Sequence, residues 1–468
     1  MSAAASVLNG MMGLGERAAR RRRAAGRLPP AIPLPETVQL TGFLLRQFDS
    51  LEAFRGRLGT PFMMSFPGGV PIAVYDDPDA IKEIFTGSSD AFHAGQANEP
   101  LRPVVGGHSL LLLDKDRHLR ERKLLLPPFH GARMVGYGET MREITEQELL
   151  RWPIGEVFRL LPRTQAITLD VILRTVFGVE GARMDALRTA LGGLIDAFSQ
   201  PGLLAPPFQR TWWPPWARFL RTREAADRLL YRVIEERRGD HERGDGAKKD
   251  DILSMLLEAR HEDGAPMSDL QLRDELMTLL AAGHETTATA LAWTMHHLSE
   301  NPRVQRRVHA ELDDALEGGR VDPGRASELV YLDAVIKEAM RMAPVIGGVG
   351  RVLSAPATIG GYALPVGTMA AASIYLTHHN ARVHPDPHVY RPERFLERKI
   401  GPYEFLPFGG GVRRCIGMAF ALYEMKVVLS TILARHRVRR AKGARIEPRR
   451  RSVTSAPSGD MPIVIERR

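Results

Sequence analysis

Cys415 is the only cysteine in a chain of 468 residues. It stands in the stretch Phe408-Gly409-Gly410-Gly411-Val412-Arg413-Arg414-Cys415-Ile416-Gly417. Glycines let a backbone approach a flat ligand closely and turn N–H groups toward a sulfur, and the helix that follows brings its positive N-terminal end near the same atom. Both effects favour a thiolate, and a thiolate on iron pushes electron density onto bound oxygen and favours O–O cleavage. The bland reading is an inert buried thiol; the surrounding Phe, Gly and Arg residues argue against it.

A second group is Ala281-Ala282-Gly283-His284-Glu285-Thr286-Thr287, in the middle of an apolar periodic stretch. Glycine costs about 1 kcal/mol relative to alanine inside a helix, so Gly283 needs a reason. Small residues leave room for a ligand against the backbone, and the Thr286 hydroxyl can bond the Ala282 carbonyl four residues back. Glu285 beside it can take protons from solvent and pass them on. His284 is expected on the outer face of the helix, with a tuning role in proton uptake as the alternative. The segment nearly spells the zinc pattern His-Glu-x-x-His, but position 288 is Ala288, so the second ligand is missing. A third group, Glu338 with Arg341 on one helix face, is weak alone. It gains weight from Arg391-Pro392-Glu393-Arg394-Phe395 downstream, where Arg394 completes a three-membered ionic cluster.

These residues need elements to hold them. Phe62 to Tyr75 alternates around Pro67-Gly68-Gly69 and reads as a β-hairpin. From Asp114 to about Glu317 the spacing is mostly helical. Ser268 to Gln271 matches a capping box and Asn301-Pro302 is a stop, which predicts one helix of about thirty residues carrying the 281–287 group. A helix around Tyr331 to Met342 carries Glu338, short apolar runs about Gly360-Gly361 and Pro365 to Gly367 read as small sheets, and a last helix runs from Ile416 to about Arg435. No fixed-period repeat is seen. The class expected is mainly α with small β-sheets (α+β), as one domain over residues 31–468 behind an Arg-rich tail at residues 1–30.

The cysteine loop, the Ala-Gly-x-Glu-Thr-Thr, the Glu-x-x-Arg and the Pro-Glu-Arg-Phe, in this order along nearly the whole chain, resemble the cytochrome P450 family of haem-thiolate monooxygenases, in its soluble bacterial form. The resemblance implies haem b lying between the long central helix and the helix after the cysteine loop. Cys415 would be its axial iron ligand and the only metal ligand. Phe408, Gly409, Gly417 and Ala282 would line the haem; His118, Arg122, Arg351 and Arg413 would meet its propionates. Glu285 and Thr286 would deliver protons to dioxygen, and Glu338, Arg341 and Arg394 would hold the cysteine loop. By family position Leu280, Ala281, Val345, Ile346, Val349 and Ala456 would line the substrate pocket, and the segment with Trp212, Trp213 and Trp216 would be a lid or a buttress. The substrate implied is a hydrophobic small molecule such as a fatty acid, terpenoid or steroid-like compound. Electrons would come from a ferredoxin or flavodoxin with its reductase, docked on Arg413, Arg414 and the basic residues beyond Arg435. Two readings stay open beside this one: a haem-thiolate enzyme with isomerase, dehydratase or peroxide-driven chemistry, and a haem-binding sensor.

Composition bounds the rest. Hydrophobic residues make up 44% and charged residues 25%, which sets aside collagen-like and disordered classes. One cysteine excludes a disulfide scaffold and fits a reducing, cytoplasmic setting. No uncharged apolar run reaches the ~18 residues of a membrane span, so no integral membrane association is expected. The net charge of +9 sits at the ends, with +5 in residues 1–30 and +8 in residues 431–468, so the middle is acidic overall. Nucleic-acid binding is therefore not expected.

Overall fold

The computed structural model describes residues 28–129, 133–200, 203, 208–243, 251–317 and 319–468. Most of the Arg-rich tail, and most of the segment from Pro201 to Phe208, lie outside the described residues. Helices dominate, as the periodicity predicts.

Two helices, α1 (Glu36–Leu45) and α2 (Gln47–Leu58), precede the hairpin β1 (Phe62–Met64) and β2 (Ile72–Tyr75), whose strands pair antiparallel as expected. Helix α3 (Pro78–Thr86), the short strand β3 (Phe92–His93) and the basic helix α4 (Lys115–Leu125) follow. Then come α5 (Arg133–Leu149), β4 (Val157–Arg159), α6 (Leu160–Thr175), α7 (Gly181–Phe198), α8 (Pro214–Arg243) and α9 (Ile252–Glu258). The strand β4 interrupts a stretch whose spacing predicts only helix.

The central helix α10 runs over Asp269–Glu300, 32 residues. Its start is the expected capping box: the Ser268 Oγ accepts from the Gln271 N–H at 3.2 Å, and the Gln271 side chain accepts from the Ser268 N–H at 2.8 Å. It stops at Asn301 because Pro302 opens the next helix, α11 (Pro302–Ala315). Helix α12 (Val330–Met342) carries Glu338 and Arg341. Strands β5 (Val349–Leu353) and β6 (Met369–Ala372) join the hairpin and β3 in a five-stranded sheet ordered β1-β2-β6-β5-β3. Between them a tight hairpin turns at Gly360 and Gly361, both at positive φ.

After the short helix α13 (Ile374–His378) comes the cysteine loop and then α14 (Met418–Leu433). The chain closes with β7 (His436–Arg440), the hairpin β8 (Pro448–Arg451) and β9 (Thr454–Pro457), and β10 (Pro462–Arg467), which pairs with both β7 and β4.

The main core gathers apolar side chains of the helical half, including Leu276, Leu280 and Leu291 of α10 and Val428 and Ile432 of α14, and a smaller core lies on the five-stranded sheet. Among the described residues, no helix is long and apolar enough to cross a membrane.

Candidate functional site

The cysteine loop is fixed from two sides. The Cys415 N–H donates to the Phe408 carbonyl at 2.9 Å, closing a turn over the glycines. Gly410 and Gly411 are needed for packing: a Cβ on either would fall 2.3 Å or less from Phe85 of α3. Gly409, at φ +63°, and Gly417 have open space where a Cβ would stand. So the triple glycine makes room for Phe85 as well as for a ligand. Phe408 packs at the edge of the main core.

Cys415 is surrounded by protein while its surface stays open to solvent, which is the situation of a side chain lining an internal cleft. Burial raises the thiol pKa; the Gly417 N–H, Arg122 and Arg414 pull the other way without prevailing. The backbone and charge effects expected from the sequence are present, and desolvation outweighs them until a cation binds the sulfur.

The Thr286 hydroxyl donates to the Ala282 carbonyl at 2.5 Å, as the spacing predicts. Ala282 is exposed although it lies in the middle of a helix whose residues on either side are buried or half-buried, so a void borders it. Gly283 points elsewhere: a Cβ there would meet Ile172 Cδ1 of α6 at 3.2 Å, so the glycine serves helix packing and not the ligand space.

His284 is buried, at 4% exposure, and so does not lie on the outer face of the helix. Its Nδ1 sits 2.9 Å from the Thr168 hydroxyl of α6, and burial, then Arg451, push its pKa down to about 3. Glu285 is also largely enclosed. Its Oε2 accepts from Gln165 Nε2 at 2.7 Å and its Oε1 lies 3.5 Å from Arg451 Nε. Burial raises its pKa, with Arg451 and Gln165 opposing. It meets a cavity and not bulk water directly.

Glu338 and Arg341 are both fully buried. Arg341 grips Glu338 with two hydrogen bonds of 2.8 and 2.9 Å, and Arg394 Nε reaches the same carboxylate at 3.0 Å. The two guanidiniums also donate to the carbonyls of His378, Pro385 and Pro387. His378 carries the connection to the loop, accepting from the Leu406 N–H at 2.9 Å, and His384 Nε2 lies 2.9 Å from the Glu404 carbonyl. These histidines have no motif spacing and were missed by sequence reasoning.

Four cationic or potentially cationic groups converge near the loop. His118 is buried and its pKa is pushed down to about 3 by burial, then by Arg413, Arg122 and Arg351. Arg351 and Arg413 are each lowered to about 10, by burial first. Arg122 donates to the Arg414 carbonyl at 2.7 Å. Asp114, also missed from sequence, pairs with Arg413 at 2.6 Å.

A cavity lies against α10. Leu280 and Ala281 line it, together with Leu194 and Phe198 of α7, Met277, and Arg451 to Thr454 around the turn of β8 and β9. Val345, Ile346 and Val349 do not line it; the first packs on the main core and the others on the sheet core. Ala456 is buried beside a neighbouring hollow with Arg449 to Arg451. Trp212 is 72% exposed, whereas Trp216 is buried against Phe219, which makes the segment a buttress at its C-terminal end.

The comparisons with known proteins decide the family. The model of the cytochrome P450 family matches residues 29–463. The chain belongs to the cytochrome P450 family. It is 39% identical over 416 residues to a P450 of Mycobacterium tuberculosis designated 135B1, covering 87% of this chain and 85% of that one, and 39% identical over 437 residues to another designated 135A1, covering 92% and 93%. Among solved structures it resembles a retinoic acid-bound cyanobacterial P450, CYP120A1, with TM-score 0.83 and 24% identity over 94% of this chain and all of that one. The haem domain of P450DA gives TM-score 0.79 and 24% identity, covering 93% of this chain and 94% of that one.

Proteins of this family are haem-thiolate monooxygenases that bind haem b through a cysteine. The residues of this P450 suit that group. Cys415 offers the single thiolate that haem iron asks of the protein. The crowded cations about His118, balanced by Asp114, suit two propionates.

Proposed function

We propose that this P450 inserts one oxygen atom of dioxygen into a C–H bond of a hydrophobic small molecule, using electrons from a separate protein. The observation that carries this reading is the pairing of one cleft-lining thiolate donor, Cys415, with a cluster of four basic groups positioned for two carboxylates. Bound haem supplies the binding and reductive activation of dioxygen. The chain supplies the rest. Cys415 Sγ is the iron ligand, and His118, Arg122, Arg351 and Arg413 hold the propionates. Ala282, Gly409, Gly417 and Phe408 bound the space of the macrocycle. Glu285, whose pKa burial raises, holds a proton nearer to neutral pH than an exposed carboxyl and passes it to the Thr286 hydroxyl. The cluster of Glu338, Arg341 and Arg394 holds the loop through His378.

The substrate is apolar for most of its length, because the cavity is walled by Val104, Leu194, Ile195, Phe198, Met277 and Leu280. Retinoic acid, bound by the cyanobacterial neighbour, is a molecule of this kind. Electrons arrive from an acidic ferredoxin or flavodoxin. The docking face is α4, which exposes Arg117 and Arg120 beside Arg414, flanked by Lys115 and Lys123 in exposed pairs with Asp90 and Glu262. This differs from the docking face expected from charge counting. Arg413 turns inward to Asp114, and Arg437, Arg439, Arg440 and Arg468 are spent on Glu466, Glu300 and Asp313.

The test is the difference spectrum of reduced protein with and without carbon monoxide. Wild type should give the strongly red-shifted Soret band of thiolate-ligated haem and Cys415→Ala should lose it. Well-folded wild-type protein that binds no haem would overturn the reading.

A further inference from the structure

The cavity against α10 is apolar on most sides and polar at one end. At that end three buried polar atoms have no hydrogen-bond partner: Glu285 Oε1, Arg451 Nε and the Ser452 hydroxyl. All three residues line the cavity. Buried polar groups in folded proteins are almost always satisfied; here Glu285 Oε1 and Arg451 Nε meet only each other, at 3.5 Å and without a hydrogen bond, and the Ser452 hydroxyl has none, so a ligand group or water in the cavity would complete all three. The backbone fixes where the Ser452 hydroxyl stands. It sits at the two-residue turn between β8 and β9 with φ +56°, a region that favours glycine, and a serine held there puts a hydroxyl where glycine would put nothing.

The charges select the kind of group. Arg451 is not a free cation: Glu285 lies 3.5 Å from it, Asp196 3.6 Å and Asp460 4.0 Å. A ligand carboxylate would find its counter-charge already matched and would stand beside Glu285. A ligand ammonium would stand beside Arg451. The half-buried pair Arg451–Glu285 offers one N–H donor and one carboxylate acceptor, and Ser452 offers either role. A neutral hydroxyl fits both, accepting from Arg451 Nε and donating to Glu285 Oε1.

We propose that Arg451, Ser452 and Glu285 form the polar anchor of the substrate cavity, and that the anchored group is an alcohol on an otherwise apolar molecule. This deepens the monooxygenase reading and rests on it for the cavity being the substrate's. It narrows the substrate from fatty acids, terpenoids and steroid-like compounds to the hydroxylated ones among them, and makes the turn of β8 and β9 the specificity element.

Calorimetric titration of the haem-loaded protein with decan-1-ol, decanoate and decane at pH 7.5 tests it. Wild type should bind the alcohol about tenfold tighter than the alkane and at least tenfold tighter than the carboxylate. Arg451→Met and Ser452→Ala should each shrink the preference of alcohol over alkane to threefold or less, with alkane binding unchanged within about twofold. Alkane affinity reports on whether each variant keeps the cavity, so a variant that fails to bind decane is replaced by Arg451→Gln before the preference is read. Decanoate binding as tightly as the alcohol, equal alcohol and alkane affinities in wild type, or an alcohol preference that survives both substitutions would each overturn the anchor while leaving the monooxygenase reading intact. Binding of none of the three would instead overturn the assignment of this cavity to substrate, and the anchor with it.

Discussion

Glu338 shows how one side chain can hold several segments. Its carboxylate accepts two bonds from Arg341, one from Arg394 and one from the Arg391 N–H, with no exposure to water. A buried ion pair contributes little net stability when complete, because desolvation offsets attraction, but breaking it strands the remaining charges. Glu338→Gln would leave two buried guanidiniums facing a neutral amide, and should lower stability by about 3–5 kcal/mol in urea unfolding. His378→Leu tests the next link. It removes the acceptor of the Leu406 N–H just before the cysteine loop and should cost about 1–3 kcal/mol. Haem should also dissociate from it faster than from wild type. Retention of haem at the wild-type rate would show that the cluster does not reach the loop through His378.

At the scale of elements, the crossing of α6 over α10 decides which residues of the 281–287 group do what. Gly283 faces α6 and Ala282 faces the void, although both are small and adjacent. Gly283→Ala gains about 1 kcal/mol in helix propensity and presses a methyl on the flexible end of Ile172, so stability should stay within about 1 kcal/mol and the carbon monoxide spectrum should be unchanged. Ala282→Leu should fold like wild type by circular dichroism and lose most carbon monoxide binding, since its side chain enters the open space. A reversal of these two outcomes would exchange the faces. The same crossing explains what could be read in the sequence. The capping box of α10, the Thr286 bond to Ala282, the Glu338–Arg341 pair and the cysteine loop depend on neighbours within a few residues, so local spacing reveals them. His284 spells part of the same motif, yet its burial comes from Thr168, more than a hundred residues earlier. Asp114, Gln165 and Arg451 reach the site only through packing between distant elements, as do the strand β4 and the separation of Val345, Ile346 and Val349 from the cavity. No periodicity carries that information.

For the molecule as a whole, the buried histidines set the response to acid. Burial pushes His284, His297 and His379 down to about 3 and His296 and His384 to about 4, and holds His378 well below its ordinary value. An unfolded histidine titrates near 6.5. Each therefore contributes stability that is complete above pH 6.5 and is lost as the pH falls from there toward the folded value, because the unfolded chain takes up the protons first. Between pH 6.5 and 5.5 the loss is about 1 kcal/mol for each of those brought to about 3 or 4. Buried carboxyls act in the opposite sense. Glu275 and Glu424 are raised well above the ordinary range by burial, hold protons when folded that the unfolded chain has released, and so offset part of that loss. The histidines outnumber these carboxyls, so the balance is a net loss of stability as the pH falls. Urea unfolding at pH 7.5, 6.5 and 5.5 should show a smaller change over the first step than the fall over the second. His297→Phe separates this cause from others: it keeps a ring to stack on Tyr390, 4.6 Å away, removes one titrating group, and should reduce the acid loss by about 1 kcal/mol. Equal stability at pH 6.5 and 5.5 would mean that charging these histidines is compensated inside the fold, and an unchanged acid loss in His297→Phe would place its origin elsewhere.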